Sequence, residues 1–201
     1  MPGEPDVVVI PAGDALLEDP PRTVHVNVFA IARRPVTNEE FAAFVAEADH
    51  KPVAWTKGLL DHPAERISWA DAVTYCRWLS VATARVYRLP DEREWEKAAR
   101  GTAGRRWPWG DNDEAGLANT REAKVGATSA VGKFARGASP EGVSDLVGNV
   151  REWTNTWADG RVLRGGSYLD PLAECAPSKR QRATEDLRGH GFRVVRSMTG
   201  R

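Results

Sequence analysis

The chain has 201 residues, enough for one sizeable domain, with Lys+Arg and Asp+Glu balanced at 28 each and a formal net charge of 0. That balance supplies no field for polyanions, so a non-specific nucleic-acid binder is excluded as an expectation. No apolar run approaches the ~20 residues of a membrane span, the first residues lack the basic and apolar regions of a signal peptide, and two cysteines make no disulfide framework. The resulting expectation is a cytoplasmic protein.

In chain order, Val7-Val-Val-Ile10 and Val24 to Ala32 are apolar and β-branched, which predicts two paired strands with Asp19-Pro-Pro-Arg22 as the turn between them. Thr37 followed by Glu40 is a capping box, in which the two side chains satisfy free amides at a helix start. It predicts a helix over about Asn38 to Ala48 with Phe41, Phe44 and Val45 on its apolar face. Ser68 with Asp71 predicts a second helix to about Ala82, burying Ala72, Tyr75, Cys76 and Leu79. Asp91 with Glu94 predicts a third, ended by Gly101.

Beyond Gly101 the chain turns to Gly, Asn, Asp, Ser and Trp. Long ordered loops are predicted there, with short strands near Val131 to Phe134, Glu152 to Trp157, Val162 to Gly166 and Gly191 to Val195. Loops of that length in a compact domain usually need functional or metal-based ordering. With no repeat and no low-complexity linker, residues 1–201 read as one α+β domain with short helices in the first half and an irregular, loop-rich second half.

Eight segments carry a resemblance. They are Pro35-Val-Thr-Asn-Glu-Glu-Phe41, Ile67-Ser-Trp-Ala-Asp-Ala72, Tyr87-Arg-Leu-Pro-Asp-Glu-Arg-Glu-Trp95, Trp107-Pro-Trp-Gly-Asp111, Ala118-Asn-Thr120, Asp145-Leu-Val-Gly-Asn-Val-Arg-Glu-Trp153, Arg164-Gly-Gly-Ser-Tyr168 and Gly191-Phe-Arg-Val-Val195. In this order they resemble the formylglycine-generating-enzyme, or sulfatase-modifying-factor, domain family. The resemblance implies a C-type-lectin-like fold. It also implies one of several uses: copper-dependent oxidation of a substrate cysteine, sulfoxide synthesis with a separate iron-binding domain, or non-catalytic ligand binding, as in the variable proteins of diversity-generating retroelements.

The oxidising members hold Cu(I) on two cysteines after the Gly-Gly-Ser segment. The matching positions here are Asp170 and Cys175. A hard carboxylate beside one thiolate is a poor site for a soft ion, so copper is disfavoured. Cys175 reads either as a half-buried structural thiol or as the sole catalytic thiolate of a copper- or iron-dependent oxidase, and Cys76 reads as a buried small hydrophobe. Some members pair the Cys76 position with a cysteine after Gly-Phe-Arg, where this chain has Val194, so no such disulfide is expected.

The family's calcium site corresponds to Asp145, Gly148, Val150 and Glu152, an oxygen-rich set that suits Ca²⁺. A plain turn held by Asp145 and Asn149 is the alternative. A second calcium set falls at Asn119 and Thr120, with Glu122 nearby. Its later acidic ligand is missing.

The four histidines show no metal-binding spacing. His190 precedes Gly191 near the pocket that the family fold implies. The expected ligand surface comprises Trp109, Trp157, Tyr168, Asp170, Arg180, Arg182, Arg188 and His190, aromatic and Arg residues typical of binding anchors. The leading functional reading is therefore a calcium-stabilised domain that binds a protein or small molecule and lacks formylglycine-forming activity. A partner encoded separately is compatible with it, and a metal-dependent oxidase using Cys175 is the alternative.

Overall fold

A computed structural model describes residues 4–18, 20–50, 59–114 and 116–198. The elements are β1 (Val7–Ile10), β2 (Gly13–Glu18), β3 (Pro21–Val26), β4 (Phe29–Ala32), α1 (Asn38–Glu47), α2 (Trp69–Thr83), β5 (Tyr87–Arg88), α3 (Glu92–Arg100), β6 (Arg151–Trp157), β7 (Arg161–Arg164), β8 (Gln181–Arg182), β9 (His190–Gly191) and β10 (Val195–Ser197). One sheet has the order β1-β4-β10-β5, a second is the β2-β3 hairpin, and a third has the order β8-β7-β6-β9. Among the described residues no helix is long and apolar enough to cross a membrane.

All three capping boxes form. Thr37 accepts from the Glu40 amide, Ser68 from that of Asp71, and Asp91 from those of Arg93 and Glu94, and in each case the third helical residue caps back. The side chains of α1 and α2 meet in a cluster of Phe41, Phe44, Tyr75, Leu79 and Phe192. Within it Phe41 stacks on Tyr75 at 5.9 Å and Tyr75 meets Phe192 edge-on at 5.2 Å. A second cluster joins β1 to β4 with Trp95, Ala98 and Ala99 of α3.

The predicted pairing of the first strand with the Phe29–Ala32 end of the second is present, Val7 opposite Ala32 and Ile10 opposite Phe29. The single strand predicted over 24–32 is two strands in different sheets, broken at Asn27 and Val28, because its halves have different partners. Its first half, β3, pairs with β2, which the sequence reading did not foresee. Pro20 and Pro21 close that hairpin, Pro21 opposite Glu18, while Asp19 lies outside the described residues. The strand predicted at Val131 to Phe134 is a run of turns, and the one predicted at Gly191 to Val195 is divided between β9 and β10. Residues 192–194 are buried between the two.

Among the described residues of 101–150 there is no strand; 3-10 turns lie at Arg121–Ala123 and Ala135–Gly137. Asn149, fully buried, anchors this segment. Its Oδ1 accepts from the Ser129 amide (2.9 Å) and from Asn119 Nδ2 (3.2 Å), and its Nδ2 donates to Ser129 O (3.1 Å) and Asp145 Oδ1 (3.2 Å). Four bonds exhaust what one amide can make, so this side chain bridges three loop strands as a backbone ladder would.

Candidate ligand cleft

Parallel pairing of β6 with β9 sets Arg151 opposite His190. The turn after β7 brings Asp170 against them: its Oδ2 accepts from the Ser167 amide and hydroxyl (2.8 and 3.0 Å), and its Oδ1 from Arg151 Nη2 at 2.5 Å. Arg121 closes the side, donating through Nε and Nη2 to Leu169 O at 3.1 and 2.8 Å. With Arg182, Thr184, Asp186 and Arg188 these residues line an open cleft of about 510 Å³.

Of the predicted ligand residues, Asp170, Arg182, Arg188 and His190 meet in this cleft. Tyr168 flanks it, donating to Glu65 Oε1 at 3.1 Å, with burial and then the Glu65 charge pushing its phenol up to about 12. Three residues have other employment. Arg180 forms an ion pair with Glu92, a buried carboxylate on α3. Trp109 stacks on buried Trp107 at 5.3 Å. Trp157 stands 68% exposed at the end of β6, stacked on Arg161, whose guanidinium also covers Trp69 at 3.3 Å. Arg121 and Arg151 were missed as cleft residues. Both lie in segments read for calcium, and only the tertiary pairing shows their other role.

His190 is 1% exposed, makes a perpendicular contact with Trp153 at 5.3 Å, and has a buried Nδ1 with no hydrogen-bond partner. Burial, helped by the Arg151 charge, lowers its pKa to about 4, so the ring is neutral at pH 7.

Cys175 is fully buried with Trp107, Ala118 and Val147. Burial first, then Asp170 and Glu122, raises its thiol to about 12. The residues therefore do not fit Cu(I): one position of the pair is a carboxylate clamped by Arg151, and the other is a protonated thiol beneath the surface. Cys76 is also buried and held neutral, up to about 12, by desolvation, and both cysteines are free.

The first calcium set does not fit either. Glu152 is fully buried with both oxygens on Arg193, Oε1 to Nη2 at 2.7 Å and Oε2 to Nε at 2.6 Å, and Oε2 also accepts from Trp95 Nε1 at 2.7 Å. A guanidinium in that place neutralises the charge a cation needs. Asp145 instead accepts from the Gly132 amide at 2.6 Å and from Asn149, with the backbone of Asp145 at φ 55° and of Gly148 at φ 71° shaping the turn. At the second set, Thr120 donates to Glu122 at 2.7 Å, and Asn119 Oδ1 is buried without a partner, where calcium takes about six to eight oxygens.

Three capped short helices, two small open sheets, a hairpin and a long strandless segment, with a cleft after the Gly-Gly-Ser turn, define a formylglycine-generating-enzyme-type domain. The model of the sulfatase-modifying factor enzyme 1-like domain matches residues 2–198, and the chain belongs to that family. It is 31% identical to the inactive C-alpha-formylglycine-generating enzyme 2 of Bos taurus, over 83% of this chain and 74% of that one. Against the formylglycine-generating enzyme of Mycobacterium tuberculosis it is 30% identical, over 81% and 74%. The solved Treponema denticola variable protein 1 shares the fold with a TM-score of 0.81, 24% identity and 94% coverage of each chain.

Proposed function

We propose that this chain is a ligand-binding member of its family that does not form formylglycine, and that the Arg-rich cleft beside β8 and β9 holds the ligand. One observation carries the reading: Asp170 stands at the first position of the copper pair and is engaged by Arg151, while Cys175 at the second is fully buried. The family's copper oxidation needs an accessible soft-metal centre, and a carboxylate tied to a guanidinium beside a protonated thiol is not one. A relative that carries the name of an inactive enzyme is compatible with loss of the chemistry in a retained fold.

What the residues do in this reading is bind and orient. Arg151 and the Ser167 turn hold Asp170 fixed, and neutral His190 offers one donor and one acceptor. The segment 170–190 is then the ligand-contact segment, in the place that the family resemblance gives to the diversified face of retroelement variable proteins. The ligand is a small molecule or the projecting side chain of a protein partner, which is the scale of a 510 Å³ cleft.

The test is copper uptake and oxygen consumption with a thiol substrate, on the wild type and on Cys175→Ser and Asp170→Cys. The wild type is expected to take up no stoichiometric copper and to consume no oxygen above the Cys175→Ser background. Oxygen consumption that disappears in Cys175→Ser would mean an oxidase, and the proposal would be wrong.

A further inference from the structure

The cleft carries an uneven charge in an otherwise balanced chain. Four guanidinium groups, those of Arg121, Arg151, Arg182 and Arg188, face two carboxylates, Asp170 and Asp186, which leaves two positive charges where the whole protein has a net charge of 0. A concave, low-dielectric wall of one sign concentrates small ions of the other.

The hydrogen bonds show which groups have capacity left. Arg151 already holds one carboxylate, that of Asp170, and gives its Nη1 to Arg188 O at 3.3 Å. Arg188 lies on Asp186 through Nε at 2.8 Å and Nη2 at 2.7 Å, which leaves Nη1 for a ligand. The nearest carboxylate to Arg182 is Asp159 at 3.8 Å, and both side chains are exposed, so water screens that pair and the guanidinium keeps its donors. At the inner end His190 presents a buried ring whose Nδ1 has no partner. An unpaired buried polar atom is destabilising, and a ligand that supplied its hydrogen bond would offset that cost. The orphaned nitrogen is independent of the charge count, and it belongs to a residue that lines the same cleft.

We propose that the cleft binds a small ligand through an oxyanion, carboxylate or phosphate, held by the guanidinium groups of Arg182 and Arg188, with a hydrogen-bonding group of the ligand meeting His190. Guanidinium is the side chain suited to this, because its planar fork matches two oxygens of a carboxylate or phosphate at once. Arg151 already holds one carboxylate oxygen inside the cleft, Oδ1 of Asp170. The inference rests on the proposed function, since it assigns a ligand class to the same cleft.

Titration calorimetry on the full chain at low ionic strength, with succinate, inorganic phosphate and uncharged succinamide as probes, tests it. Succinate or phosphate is expected to bind at one saturable site, and affinity is expected to fall roughly tenfold or more in Arg182→Gln/Arg188→Gln. Added salt should weaken binding as well. Both replaced side chains are exposed, and circular dichroism checks that the variant keeps its fold. Tighter succinate than phosphate assigns a carboxylate ligand, and the reverse order a phosphate. Failure of both anions to saturate at concentrations on the order of 10 mM, or equal affinity in the double variant, overturns the proposal. Succinamide binding that the double variant weakens, with no anion binding, overturns the oxyanion class and leaves the binding cleft standing. An oxidase is detected separately, by the oxygen-consumption assay.

Discussion

His190 couples the cleft to stability. The unfolded chain binds a proton on this ring near pH 6.5, while the folded chain resists until about 4, through burial first and the Arg151 charge second, opposed by Asp186 and Asp170. Between those values the unfolded state holds more protons, so stability is complete above pH ~7 and is lost as pH falls from ~6.5 to ~4. Discounted for solvent in the open cleft, the loss is about 1–2 kcal/mol. Chemical denaturation of the wild type and His190→Gln at a series of pH values checks this, and the variant is expected to lose that part of the slope. Gly166 sets a different limit. At φ +67°, a Cβ there would lie 2.3 Å from Cys175 Sγ and 2.8 Å from its Cα. Backbone on the far side cannot move aside as a flexible side chain could, so Gly166→Ala is expected to cost about 3 kcal/mol or more. Thermal melting reads it; a change within about 1 °C would show that the turn has room to relax.

Among the elements, α3 carries the heaviest electrostatic load. Glu96, 1% exposed, holds Arg100 Nη1 at 2.6 Å and lies 3.2 Å from Arg164 Nη2, while Glu92 reaches Arg164 at 3.0 Å and also Arg180. Desolvation raises Glu96 and lowers Arg164, the mark of charges that depend on each other. Lys97 of the same helix is buried with its ammonium on the carbonyls of Pro11 (2.7 Å) and Gly13 (2.9 Å), tying the helix to the β2-β3 hairpin. Glu96→Ala would take the buried carboxylate from two buried guanidinium groups, leaving Arg164 with Glu92 alone and Arg100 with the more exposed Glu18. It is expected to cost about 3–5 kcal/mol, against about 1 kcal/mol for Ser68→Ala, which removes one helix cap. Denaturant titration of both variants checks the ratio; equal costs would mean that the α3 network contributes no more than a cap.

These elements also show what was legible in the sequence. The caps at Thr37, Ser68 and Asp91 were readable because both halves of each device lie three residues apart. The break at Asn27 and Val28 was not, because it follows from a change of partner between β1 and β2. In β2 the apolar run Ala15-Leu16-Leu17 masked the alternation, Ala15 and Leu17 buried and Leu16 exposed. In the site, Asp170, Arg182, Arg188 and His190 were legible because they flank the Gly-Gly-Ser and Gly-Phe-Arg segments. Arg180 lies between those segments and Trp157 at the end of β6, and nothing local tells a side chain that turns to Glu92, or that stacks on Arg161, from one that enters the cleft.

At the scale of the molecule, one buried ion pair links the distant parts. Arg193, between β9 and β10, joins Glu152 of β6 to the carbonyls of Ala32 (3.1 Å) and Ser144 (2.8 Å), so the strandless segment, the end of β4 and the third sheet meet on one guanidinium. The motif that suggested calcium thus supplies a different stabiliser, a cation carried by the chain itself. Trp95 of α3 adds its indole N–H to the same carboxylate, which brings the second cluster into the junction. The two accounts separate in Glu152→Gln. An amide can keep one bond to Arg193 but leaves the guanidinium without counter-charge in a fully buried place, for an expected cost of about 3–5 kcal/mol. If Arg193 is the partner that matters, this cost is the same in chelator and in millimolar calcium, since no ion is lost with the charge. If calcium bound at Glu152 supplied the stability, the wild type would gain on adding calcium and the variant would not, so the cost would grow with calcium. Denaturation of both proteins in the two buffers distinguishes the cases, and the geometry of Glu152 and Arg193 predicts equal costs.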